Sequence, residues 1–363
     1  MTSLKKPLAG ALAFSLAGCG MLNKTAKLPT YDANATPQSQ ASVFIGAQNT
    51  NLLTNKKAFV SECNVIVGFQ TGASAGTTAG LLSNQGGRAD SKVISMYYLK
   101  GITDEQLQAL TDAVCADAEA RLGSSGYSVV PQAQLQANPL FQKLNANGKA
   151  SPFDWGVGKN KYKVYAAKGS TVYNPKYLGA GGGLAMAMKQ ASGNAPAFME
   201  ANLVDELGAD AVRLNVVLDF SSVQGDGHGK WIKKDSASVK GKVLFAVSGS
   251  VTVVPKDGVT CSKRFGNREC YTPKKLAALN LKYPVTTEDK FYTEIKDATT
   301  TGDKVAAVAT KAIALLGALA GSTGSSSSTK RTDVNIDAPA YDSVAKKQVG
   351  NFIDMALAAA KGS

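Results

Sequence analysis

Alternation of apolar and polar residues picks out the strands of this chain. Phe59, Cys63, Val65, Val67 and Phe69 share one parity, the period of a strand with a single buried face. A second strand is predicted over residues 93–99. A third covers 211–220, with Val212, Leu214, Val216 and Leu218 on one side. The longest alternation places Val239, Val243, Phe245, Val247, Val251 and Val253 on one face, with Gly241 and Gly249 at the same parity. Such a run would extend about 50 Å, which predicts a bulge or bend at Gly249. The polar stretch before it, residues 224–236, reads as a loop.

Helical spacing appears elsewhere. Thr103-x-x-Gln106 forms a capping box, and Leu107, Leu110, Val114, Ala118 and Leu122 then repeat on one face before Gly123. Residues 127–130 read as a short strand and 133–144 as a short helix. Pro196 opens a helix that Gly208 closes after Leu207. Two helices, 303–320 and 341–361, end the chain on either side of a serine-rich linker at 322–330. The first is apolar nearly all round and reads as a buried core helix, with a subunit-contact helix as the alternative. Together these elements predict a mixed β-sheet flanked by helices, of the α/β or α+β class. One main globular region over 43–321 is expected, with the helix of 331–363 packing on it.

Composition changes this picture little. Of 363 residues, 44% are hydrophobic and 18% charged, as in globular rather than disordered chains. The net charge of +13 suits anionic lipid or an acidic polymer; no nucleic-acid partner is expected. After the first residues no apolar run reaches the length of a spanning helix; residues 305–320 are short and contain Lys311.

The amino terminus carries the most specific signal. Lys5 and Lys6 precede an apolar run from Pro7 to Ala17, and Leu16-Ala17-Gly18-Cys19 follows. A basic start, a short apolar run and a small-residue site are the parts of a secretory signal. The tetrapeptide resembles the lipobox of bacterial lipoproteins. That resemblance implies a signal peptide over residues 1–18, fatty acylation (palmitate and related chains) at Cys19, and a lipidated tether over 19–42. Gly20 after the cysteine implies sorting to the outer membrane, facing the periplasm. Removing Lys5 and Lys6 would leave the mature chain at +11.

With Cys19 assigned to lipid, Cys63, Cys115, Cys261 and Cys270 remain. An even number in an oxidising compartment predicts two disulfides. Cys261 and Cys270 flank Phe265-Gly266, as in a hairpin over 259–272, which leaves Cys63 with Cys115. A four-thiolate zinc site is the rival, but the CxxC pairs it needs are missing. Lys263, Arg264 and Arg268 crowd the hairpin tip, a candidate surface for lipid phosphate or an acidic polymer; a charged turn that blunts a sheet edge is the alternative.

Catalytic signals are sparse. His228 is the sole histidine, with Asp219, Asp226 and Asp235 near it in sequence; it would have to serve any metal site or Ser-His-Asp triad. Ser343-x-x-Lys346 has serine–lysine spacing without accompanying motifs. The glycine-rich stretches 72–80 and 179–183 lack the phosphate-loop and dinucleotide patterns. No cofactor, metal or enzymatic activity is expected; a periplasmic hydrolase using His228 or Ser343 with Lys346 is the competing class.

A second resemblance rests on the helix after Thr103, the segment Gly126-Tyr-Ser-Val-Val130 with Gln132-Ala-Gln-Leu135, and Leu207-Gly-Ala-Asp-Ala-Val212. These are similar to the periplasmic domain of the curli-secretion lipoprotein family and to TolB-type amino-terminal domains. The likeness implies an envelope protein that assembles with copies of itself or with an export or surface structure.

Overall fold

The computed structural model describes residues 29–76, 90–178, 195–228, 236–264, 267–273, 275–319 and 325–362. The chain forms a large mixed β-sheet flanked by helices, as the pattern of periods predicted. Strand β2 (Lys57–Gly76) is its axis. On one side β2 pairs in parallel with β7 (Asp210–His228); on the other it meets β4 (Ser128–Val129), β6 (Asn160–Ala166) and β3 (Asp90–Lys100) in succession. The sheet continues through β8 (Ser236–Val254) and β11 (Ala277–Leu281) to an edge at β1 (Ile45–Gln48). In the other direction it runs from β3 through β14 (Ser325–Ile336) to an edge at β13 (Tyr292–Asp297). β5 (Phe153–Val157) pairs with β6, β12 (Val285–Thr287) with β8, and β9 (Thr260–Arg264) with β10 (Asn267–Tyr271) as a separate hairpin.

Both faces of the inner sheet are covered. On one, α2 (Asp104–Ser124) and α7 (Ala338–Lys361), joined by α1 (Pro37–Phe44), bury Leu107, Leu110, Val114, Phe352 and Ile353 against Val65, Val67, Val216 and Leu218. On the other, α3 (Gln132–Ala137), α4 (Pro139–Ala146) and α5 (Pro196–Leu207) bury Leu135, Phe141, Leu144 and Leu203 against Phe59 and Ala211. Local signals set several ends. The Thr103 hydroxyl and Gln106 side chain cap α2 reciprocally, as predicted. Gly208 ends α5 at φ +57°, a conformation glycine adopts without cost.

Several expectations need correction. The predicted linker at 322–330 is strand from Ser325 onward, paired in parallel with β3 from Ser325↔Asp90 to Asn335↔Lys100. The predicted loop at 224–236 is strand at both of its ends, since β7 runs to His228 and β8 begins at Ser236; residues 229–235 lie outside the described residues. No bulge falls at Gly249, which pairs in register with Val216. A Cβ there would lie 2.6 Å from the Asn215 carbonyl oxygen, so close strand approach explains that glycine. The tether predicted to reach residue 42 ends earlier: Tyr31 is buried and stacks edge-on against Phe44 in α1. Helix α6 (Thr301–Leu319) is not a core helix over its first half, since Val305 and Val308 are 61% and 70% exposed.

Candidate functional site

β2 and β7 run side by side from Ala58↔Asp210 to Val67↔Leu218 and then part. Each strand is irregular where they separate. The β2–β6 register shifts between Gly68 and Gln70, and the β7–β8 register shifts between Asp219 and Ser221. Bulges of this kind bend a strand and increase its twist. Beyond the fork β2 pairs with β3, from Gln70↔Tyr98 to Gly76↔Lys92. β7 keeps only β8, from Ser221↔Val243 to His228↔Ser236.

This outer part of β7–β8 is a two-stranded ribbon. Among the described residues no third strand pairs with Ser221–His228 or with Ser236–Val243. Its sequence differs from that of the inner half: serine, glycine, lysine and aspartate predominate where the inner half has valine and leucine. Gly241 lies against the Tyr97 ring of β3, leaving no room for a side chain. Isolated two-stranded ribbons are marginal in water, and their unpaired backbone groups are templates for another strand. Lys240 and Lys242 lie on its exposed part, and Lys242 pairs with Glu288.

The opposite margin is closed. β13 covers β14 only from Thr332 onward. Farther out, the Thr310 hydroxyl of α6 accepts from the Ser327 N–H at 3.1 Å, so a helix side chain occupies the edge. Arg331 bridges Asp303 of α6 at 2.7 Å and reaches the Tyr98 hydroxyl. With Arg331 beside it, the Asp303 carboxyl is held down at about 2.

A polar seam lies below the fork, between the inner sheet and α5. The Glu200 carboxylate is fully buried and accepts from Ser61 Oγ at 2.6 Å, the Tyr173 hydroxyl at 2.9 Å and Arg213 Nε at 3.0 Å. Arg213 also engages its second oxygen. Burial is the largest influence and pushes this carboxyl up, but the Arg213 charge together with the hydrogen bonds from Arg213, Ser61 and Tyr173 leaves the group below its ordinary value. Glu62 accepts from the Tyr173 and Asn174 amides at 2.9 Å, while its Oε2 is buried without a partner. Burial holds the Glu62 carboxyl above its usual range despite Arg213. At the fork, desolvation raises Asp219 to about 6, opposed by the Tyr162 hydroxyl. These groups tie β2, β7, α5 and the segment after β6 together. Glu200 and Arg213 are saturated by each other, so the seam is a packing lock rather than a reaction centre.

Both predicted disulfides are present. Cys63 on β2 joins Cys115 on α2, and Cys261 and Cys270 are opposed across β9–β10. Asp205 approaches the second pair, but bonded sulfurs are not thiolate ligands, and Asp205 pairs with Arg268 at 2.7 Å. The basic hairpin is therefore partly neutralised. It lies on α5 through Cys270 N–H to Asn202 and an edge-on Phe198–Tyr271 contact. Lys263 is exposed; the Arg264 side chain lies outside the described residues, as do Cys19 and residues 77–89 and 179–194. Asp219 and His228 are nine positions apart on one extended strand, about 30 Å, so they cannot share a metal. Ser343 is exposed on α7, and the Lys346 ammonium pairs with Asp342 at 2.7 Å.

Sequence reasoning followed the apolar side of β7, passed over Arg213 and Asn215 on the other, and considered Asp219 only as a metal ligand beside His228. Their polar identity at alternate positions, with Glu200 inside an apolar helix segment, was the available signal. Compared with known proteins, the chain matches no family model, no curated protein and no solved structure.

Proposed function

We propose that this chain is a lipid-anchored protein of the bacterial cell envelope that acts by assembly, as a component of an export or surface structure. In this reading Cys19 carries the acyl chains, the outer membrane holds the protein, and the folded region stands in the periplasm. The observation that carries the assembly role is the β7–β8 ribbon, unpaired at both edges among the described residues for the length of Ser221–His228. A strand from a second copy or from an envelope partner would satisfy the open backbone groups. Two disulfides suit an oxidising compartment.

The hydrolase alternative has weaker support. Lys346 is neutralised by Asp342, and the buried carboxylates of the seam are locked in place. Light scattering on the native protein extracted in mild detergent tests the reading. A defined oligomer or a stable complex with a second envelope protein is expected. A monodisperse monomer whose hydrolytic activity disappears in His228→Ala would overturn it. Intact-mass analysis of the same sample addresses the anchor, which requires a mature chain beginning at Cys19 with added acyl mass.

A further inference from the structure

The β5–β6 hairpin combines an apolar tip, stacked aromatic rings and a one-sided charge. Val157 stands at its tip, 51% exposed. Gly158 supplies the turn at φ +61°, which suits a residue without a Cβ. One step behind, Trp155 pairs across the strands with Tyr162, their rings 5.2 Å apart, and Tyr177 supports the indole edge-on at 5.1 Å. Farther back, Lys149 Nζ sits 3.7 Å from the centre of the Phe153 ring. Both Trp155 and Phe153 are half-buried: anchored on one side and open on the other. Among the described residues β5 is an edge strand, paired with β6 alone.

The charge is one-sided. Lys159 and Lys161 flank the tip and Lys149 lies behind it. None of the three forms an ion pair among the described residues. Lys163 is spent on Asp104, at 2.9 Å, and Asp154 is the one acid on the two strands. By contrast, Arg268 of the other basic hairpin is paired with Asp205, and that hairpin lies against α5.

We propose that the β5–β6 hairpin is a membrane-docking finger for an anionic lipid surface. Val157 enters the acyl boundary. Trp155 and Tyr162 follow about 7 Å behind, at the depth where amphipathic rings sit in the headgroup layer. Lys159 and Lys161 face the lipid phosphates. An exposed aliphatic tip ahead of the rings suits a bilayer; a soluble acidic polymer would use the lysines and rings and leave Val157 idle. The inference does not depend on self-assembly, because a single unacylated chain presents the whole finger.

The test uses the full chain with Cys19→Ser, so that no acyl chain contributes, and Trp231→Phe, which leaves Trp155 as the only tryptophan. It is mixed with phosphatidylcholine vesicles, with and without phosphatidylglycerol. Binding is expected only when phosphatidylglycerol is present, with a blue shift of Trp155 emission and quenching by brominated acyl chains. Lys161→Glu changes two units of charge and should weaken binding about 25-fold, at about fivefold per charge. Val157→Asp should abolish the quenching without altering the thermal melt, and Lys263→Ala should change nothing. Equal binding to neutral vesicles, indifference to both hairpin substitutions, or loss through Lys263→Ala would overturn the proposal. So would equally tight binding to soluble polygalacturonate without a blue shift. The aggregation state of the chain is measured separately, so failure here leaves the assembly reading standing.

Discussion

The two halves of β7 are made by one continuous strand and live under different rules. From Asp210 to Leu218 it lies between two strands, with helices over both faces, and Leu214, Val216 and Leu218 are almost wholly buried. From Ser221 to His228 it pairs with β8 alone among the described residues. In the inner half, ladders to β2 and β8 take up the backbone hydrogen-bonding groups, while hydrophobic burial and the Glu200–Arg213 pair hold the layers together. Among the described residues, the outer half is left with open edges, which the proposed assembly would fill. The margin at β14 shows the alternative, because there Thr310 of α6 occupies the edge from within the same chain. Closure is thus available to this fold, and among the described residues the ribbon goes without it.

The comparison is broken most severely at Arg213. Arg213→Leu strands the fully buried Glu200 carboxylate and should cost 3–5 kcal/mol, about the range for removing one partner of a buried pair. Replacing Glu200 by Leu as well should recover most of that loss. A chemical-denaturation difference below about 1 kcal/mol for the single variant would show that the seam does not hold the inner half. The disulfides come next. Deleting Cys63–Cys115, which are 52 residues apart, should cost about 4 kcal/mol on chain-entropy grounds, and deleting Cys261–Cys270, nine apart, about 3 kcal/mol. A reversed order would mean that the hairpin staple matters more than the strand-to-helix bond.

Asp219, at the fork, gives a pH signature. Its folded-state value of about 6 lies above the ordinary 3.8. The native chain therefore keeps this proton to higher pH than the unfolded chain. Its contribution is fully present below about pH 4 and is lost as pH rises through about 6. Asp219→Asn should remove that slope and be the more stable form at pH 7, by up to about 3 kcal/mol. Parallel stability–pH curves for the two proteins would contradict this. The smallest global effect is expected outside the fork. Gly241→Val meets the Tyr97 ring and should cost about 1 kcal/mol by overpacking. Faster amide exchange should be confined to the ribbon.

Much of the fold was legible where the signal is local. The Thr103–Gln106 box, Pro196 with Gly208, and the symmetric Cys261–Cys270 spacing each depend on residues within one turn or hairpin. What stayed hidden depends on distant partners. Ser325–Ser328 has the composition of a linker and becomes strand because β3 lies beside it. Gln224–His228 reads as loop from its glycines and charges, yet β8 holds it extended. The seam was hidden for another reason: Arg213 becomes meaningful only when Glu200, on a helix, is brought beneath it.

Hydrogen–deuterium exchange, read by mass spectrometry on the monomer and on the native detergent-extracted particle, tests the central claim most directly. In both states the amides of Val65–Val67 and Val216–Leu218 should be protected. The amides of Ser221–His228 and Ser236–Val243 should exchange quickly in the monomer and become protected in the particle. A ribbon that is equally protected in the monomer, or that exchanges freely in both, would contradict assembly through these open edges.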